Sequence, residues 1–113
     1  MWRAIGMARE AERNGEVPVG AIVVGPDGGI LAAAANRTIK NIGPTAHAEI
    51  LALRTAATRV NNYRLVGSTV YTTLEPCAMC AGALVNARVA RVVFGATDER
   101  FGGAVTHFGI CDS

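Results

Sequence analysis

The chain has 113 residues, half of them hydrophobic and 18% charged, with a net charge of +2 at neutral pH. That length and apolar content specify one domain, residues 1–113, with its own core, and exclude the disordered and fibrous classes. A charge of +2 is too small to argue for nucleic acid by itself, although Arg outnumbers Lys and its planar fork suits phosphate.

Residues 2–13 mix Ala, Met and Ile with Arg and Glu at near-helical spacing, and Asn14-Gly15 follows as a stop signal. The segment reads as an amphipathic helix. The β-branched run "VPVGAIVVG" (17–25) then leads to Pro26-Asp27-Gly28-Gly29, turn residues by type, and "ILAAAANRT" (30–38) resumes the apolar pattern. A hairpin is the expectation, even though Ala intrinsically prefers helix. Gly43-Pro44-Thr45 interrupts the chain, and residues 46–60 carry Ile50, Leu51, Leu53, Ala57 and Val60 in a helical stripe that begins near Thr45. Residues 68–74 form a strand, 77–87 a short helix and 88–96 a further strand. Strand, helix and strand with short links imply a parallel pair joined by a right-handed crossover. The expected architecture is an α/β sandwich, and the segment from Phe101 onward reads as loop.

No apolar run reaches the roughly 18 residues that a membrane span needs, and the N-terminus does not read as a signal peptide. Three cysteines are an odd and sparse set for a disulfide scaffold. A reducing, cytoplasmic setting is expected.

Cys77 and Cys80 follow Pro76 at the start of the short helix. Residues three apart share a helix face, and the unpaired N–H groups of a first turn favour thiolate over thiol. Such a pair binds metal or does redox chemistry. The redox reading loses ground because its motif belongs after the first strand of a thioredoxin-like pattern. The metal reading gains from His47, in "HAE", ahead of the long helix. One imidazole and two thiolates leave the fourth position of a tetrahedral zinc open for water, the mark of a catalytic site. His107 and Cys111 remain open as a fourth ligand of a structural site. Glu49 suits a proton shuttle, taking a proton from water and giving one to a leaving amine. On a regular helix, however, residues two apart point about 200° from each other. His47 and Glu49 must therefore sit at the helix entrance, where the backbone departs from regularity.

His-Ala-Glu followed by Pro-Cys-x-x-Cys resembles the signature of the zinc-dependent cytidine/deoxycytidylate deaminase superfamily, in which the Glu is acid/base and not a ligand. The segments "EVPVGA" (16–21), "NR" (36–37), "PTAHAEILALR" (44–54), "NYRL" (62–65), "TLEPCAMCAGA" (73–83) and "ARVVFGATD" (90–98) are similar to one branch of it, the bacterial tRNA adenosine deaminases. The resemblance implies a three-layer α/β/α sandwich on a central mixed sheet. It also implies one zinc per chain on His47, Cys77 and Cys80, with Glu49 catalytic. The implied reaction is conversion of adenosine to inosine at the wobble position of a tRNA anticodon loop, by a homodimer. Asn36 would contact the flipped nucleoside, Val17 would line the pocket edge, and the Ala48 N–H would meet the base. Asp98 would approach the preceding nucleotide, where a 2′-OH distinguishes RNA from DNA. The family's further strand and C-terminal helix are expected to be absent, because this sequence ends at Ser113. Deamination of a free base such as guanine or cytosine, and a non-catalytic zinc-bearing subunit, are the alternatives.

Overall fold

The computed structural model of the chain describes residues 1–96. Asp98, His107, Cys111 and the segment from Phe101 lie outside the described residues. The elements run α1 (Trp2–Arg13), β1 (Gly20–Val24), β2 (Ile30–Ala35), α2 (Ala48–Val60), β3 (Thr69–Leu74), α3 (Ala78–Asn86) and β4 (Arg91–Ala96).

The strands form one sheet in the order β2-β1-β3-β4. β1 pairs antiparallel with both β2 and β3, while β3 and β4 are parallel, as a crossover through α3 requires. The expected hairpin is present. Its turn is closed by hydrogen bonds from the Gly28 N–H to the Gly25 carbonyl and from the Gly29 N–H to the Asp27 carboxylate, at 3.0 Å each. Gly28 takes φ +87° there, a conformation open to glycine because it lacks a Cβ. The Ala-rich β2 is a strand despite its propensity because Ala32 and Ala35 fill shallow positions beside β1, where tertiary packing outweighs intrinsic preference.

Successive residues of β1 face opposite sides. Ala21 and Val23 join Val70, Ala48, Ala52, Leu53, Ala56 and Leu84 in one cluster, which places α2 and α3 on the same face. Gly20 faces α1: a Cβ added there would overlap the Ala4 carbonyl and come within 2.6 Å of the Ala8 nitrogen. Ala4, Ala8 and Ala11 recur at helical spacing as the buried stripe of α1. Small residues on both partners thus let helix and sheet approach closely, and the result is the expected α/β/α layering.

Most boundaries fall within three residues of the sequence reading. The long helix begins at Ala48 and not near Thr45, because His47 is its N-cap. β4 begins at Arg91 and not at 88, because Arg88 takes φ +61° as the chain leaves α3.

The strand directions gather three of the described connecting segments at one end of the sheet. Since Ala21 lies opposite Thr72 and Gly20 opposite Ala35, the segment before β1, the segment after β2 and the segment after β3 all emerge together. A hydrogen bond from the Gly20 N–H to Thr73 Oγ1, 3.2 Å long, ties that end.

Candidate metal and nucleoside site

Two helices begin at this end, and each presents a ligand side chain from its N-cap. His47 caps α2 with φ −71° and ψ 151°, and Cys77 caps α3 with φ −69° and ψ 176°, both extended. The extended backbone at His47 resolves the geometric difficulty of the His-Ala-Glu spacing, since only Ala48 and Glu49 are in the helix proper. Cys80 lies one turn into α3 and is wholly buried.

His47 Nδ1 is 3.6 Å from Cys77 Sγ and 3.5 Å from Cys80 Sγ. All three donor atoms lie within 4.8 Å of one another, and this is the metal-capable cluster among the described residues. A tetrahedral zinc with Zn–N of about 2.0–2.1 Å and Zn–S of about 2.3 Å requires N···S separations of roughly 3.6 Å. Both N···S separations therefore match those of a zinc site. It supplies three ligands, which leaves a fourth position open.

The two thiols are coupled. The Cys80 thiol donating to the Cys77 sulfur, with backbone N–H groups of Cys80 and Met79 at the helix start and the charge of His47, lowers Cys77 to about 5 against the opposing effect of burial. Cys80 is pushed up by the same hydrogen bond to Cys77, then by burial and by Glu49. One proton is shared by the pair, and a divalent cation takes its place on binding.

Glu49 is 4% exposed. Its carboxyl is raised above the usual range chiefly by burial and also by the nearby Cys77, with its own backbone N–H, His47 and Cys80 opposing. It shares with His47, Ala48 and Cys77 a cavity of about 480 Å³. Asn36 stands in the same cavity wall at 6% exposure. Its Nδ2 donates to the Val17 carbonyl over a long 3.4 Å, and its Oδ1 is buried with no hydrogen-bond partner. Buried acceptors are nearly always satisfied, so this unpaired one, on a residue that lines the cavity, stands out. Val17 is exposed and borders the cavity beside Val19.

Seven of the eight residues singled out in the sequence converge here: Val17, Asn36, His47, Ala48, Glu49, Cys77 and Cys80. Asp98 lies outside the described residues. Sequence reasoning missed Thr38, Leu74 and Glu75 as cavity residues. Glu75, buried although acidic, carried a local signal in standing directly before Pro76-Cys77. Thr38 carried none.

Residues 1–96 match the family described as the cytidine and deoxycytidylate deaminase zinc-binding region. The chain is 48% identical over 112 residues to the tRNA-specific adenosine deaminase of Haemophilus influenzae, covering 99% of this chain and 65% of that protein. It is 47% identical over 109 residues to the tRNA-specific adenosine deaminase of Aquifex aeolicus, covering 96% and 72%. A solved structure from work on A-to-I editing by tRNA:A34 deaminases at the wobble position superposes with TM-score 0.91 at 42% identity, over 96% of this chain and 80% of that one. Guanine deaminase from Bacillus subtilis superposes with TM-score 0.81 at 39% identity, over 85% and 61%. The chain spans about two thirds of the length of the Haemophilus relative.

Proposed function

The chain belongs to the cytidine and deoxycytidylate deaminase zinc-binding family, and from that premise we propose that it is a zinc-dependent adenosine deaminase acting on the anticodon loop of tRNA, forming inosine at the wobble position. The observation that carries the reading is the three-ligand cluster of His47, Cys77 and Cys80 beside a cavity that Glu49 and Asn36 also line.

His47, Cys77 and Cys80 would hold zinc, which when bound acts as a Lewis acid that makes water nucleophilic at neutral pH. Glu49 performs the proton transfers: it takes a proton as water adds at C6 of adenine and delivers one to the departing amine. Burial serves this role, since a carboxyl raised toward the working pH both accepts and returns a proton efficiently. Asn36 Oδ1 accepts a hydrogen bond from the nucleoside. The Ala48 N–H, in the first turn of α2 where amides lack intrahelical partners, donates to the base. Val17 packs at the cavity edge.

An adenosine in a loop suits this cavity because extruding an unpaired base costs less than opening a base pair. The 47–48% identity to two tRNA-specific deaminases supports tRNA as the substrate. A homodimer belongs to the same proposal, supported by a largely apolar groove between α2 and α3 in which Ile50, Leu53, Leu65 and Ala83 stand beside Arg54 and Asn86. So does a reducing, cytoplasmic location, which keeps both thiols available as ligands. No helix among the described residues is long and apolar enough to cross a membrane.

The test is inosine formation in an anticodon stem-loop with adenosine at the wobble position, with bound zinc measured on the same sample. Turnover at one zinc per chain supports the reading. The likeness to guanine deaminase favours one second reading, deamination of a free base. Ammonia release from guanine, with an inert stem-loop, would establish it instead.

A further inference from the structure

Glu16 is a buried acid to which the chemistry above gives no part. It is 6% exposed, while Gly15, Val17 and Pro18 around it are exposed. Both carboxylate oxygens are engaged: Oε1 accepts the Ile39 N–H at 3.0 Å and Oε2 the Lys40 N–H at 2.8 Å. These partners are 23 and 24 residues away along the chain. They belong to the turn spanning 37–43, which lies outside the strands and helices, is closed by its own backbone bonds such as Asn41 N–H to the Arg37 carbonyl at 2.9 Å and Gly43 N–H to the Thr38 carbonyl at 3.1 Å, and has Ile39 and Ile42 projecting into solvent. The hydrogen bonds from the Ile39 and Lys40 amides, joined by the Thr38 hydroxyl and the charge of Arg37, hold the Glu16 carboxyl below the usual range although burial opposes them.

The same two segments are stitched a second time, at the cavity. The Asn36 N–H donates to the Val19 carbonyl at 3.0 Å, and Asn36 Nδ2 to the Val17 carbonyl at 3.4 Å. Asn36 and Thr38 therefore line the cavity from one wall and Val17 and Val19 from the other. The 3.0 Å bond fixes the Asn36 backbone, whereas the long Nδ2 bond holds its side chain only weakly. Two charge-assisted hydrogen bonds to one carboxylate are about twice as strong as neutral ones.

We infer that Glu16 is a positioning residue of this cavity: by clamping the 37–43 turn onto the 16–19 segment it fixes Asn36 between them and sets the geometry in which the nucleoside is bound. Glu16 itself touches no reacting atom. The inference rests on the reading of the cavity as a nucleoside site.

The experiment measures binding of the adenosine-bearing stem-loop to zinc-loaded protein carrying Glu49→Gln, so that no turnover intervenes. Glu16→Gln, Asn36→Ala and the pair are compared in that background. Gln keeps the size but offers one acceptor and points an N–H₂ at the other amide. The expected result is an approximately tenfold weakening for each single change and no further loss for the pair, because Glu16 acts through Asn36. Unchanged affinity with Glu16→Gln, or losses that simply add, overturn the inference. A Glu49→Gln parent that fails to bind the stem-loop overturns the substrate reading and this inference with it. Hydrogen exchange on the unsubstituted protein gives an answer that does not depend on the variants folding. The Ile39 and Lys40 amides should be protected well beyond their exposed surroundings; exchange at free-loop rates removes the clamp.

Discussion

Replacing Asn36 by Ala should separate stability from activity, because the two depend on opposite features of that side chain. Its Nδ2 bond to Val17 is 3.4 Å long, so its loss costs at most about 0.5 kcal/mol. Its Oδ1 is buried and unpaired, and removing such an acceptor relieves about 1–3 kcal/mol of desolvation. The space vacated opens onto the cavity and offsets part of that gain through lost packing, about 1 kcal/mol. The balance lies between a loss of about 0.5 kcal/mol and a stabilisation of about 1.5 kcal/mol, a change in melting temperature from about −4 to about +12 °C for a domain of this size. The backbone bond from the Asn36 N–H to Val19 is untouched. Activity should fall. One neutral hydrogen bond to substrate, worth about 0.5–1.5 kcal/mol, corresponds to a fall in kcat/KM of roughly 2- to 13-fold. Thermal unfolding monitored by circular dichroism and initial rates of inosine formation measure the two effects on the same preparation. A fall in melting temperature equivalent to more than about 2 kcal/mol would mean that Oδ1 has a partner within the protein. Unchanged kcat/KM would mean that it meets no substrate.

Three further outcomes follow from the site and its support. Glu49→Gln should retain one zinc per chain by elemental analysis while turnover falls at least about 100-fold, since the carboxyl moves protons and stands outside the ligand cluster; loss of zinc would make it a ligand. In metal-free protein, Cys77 is a thiolate above about pH 5, so its alkylation should rise with pH through about 5 and level off, where an ordinary cysteine would titrate near 8.5. Cys80 should stay unreactive over the same range because its thiol is held protonated. Zinc should block both, and peptide mapping of the alkylated residues decides. Gly20→Ala places a methyl group against the Ala4 carbonyl and the Ala8 backbone. Overpacking against backbone, which cannot rotate away, should cost about 1–3 kcal/mol. The expected fall of roughly 5–20 °C in melting temperature should come with normal zinc content, because α1 lies on the face opposite the metal-bearing helices.

The parts of the site legible in the sequence are those that one turn of chain can encode. Cys77 and Cys80 are three residues apart, and three apart on a first turn means one face shared by both thiols. His47 stands 30 and 33 residues before them, yet it too was legible, because two thiolates need a third ligand to hold a zinc with one position open. The structure puts His47 at the N-cap of α2. The Ala-rich strand was readable only through its flanking turn and the β-branched strand before it, since its own propensity points to helix. What could not be read was the wall of the cavity. Asn36 was singled out by likeness to a family, and neither its neighbours nor its spacing distinguish it. Glu16 and the amides that it holds are joined across 23 and 24 residues, a contact that exists only because β1 and β2 run antiparallel and return their ends to the same place. Chemistry-bearing residues announce themselves by type, whereas the residues that hold them in place are defined by topology. A buried acid held by distant backbone amides, such as Glu16, is the kind of residue that sequence passes over and structure brings forward.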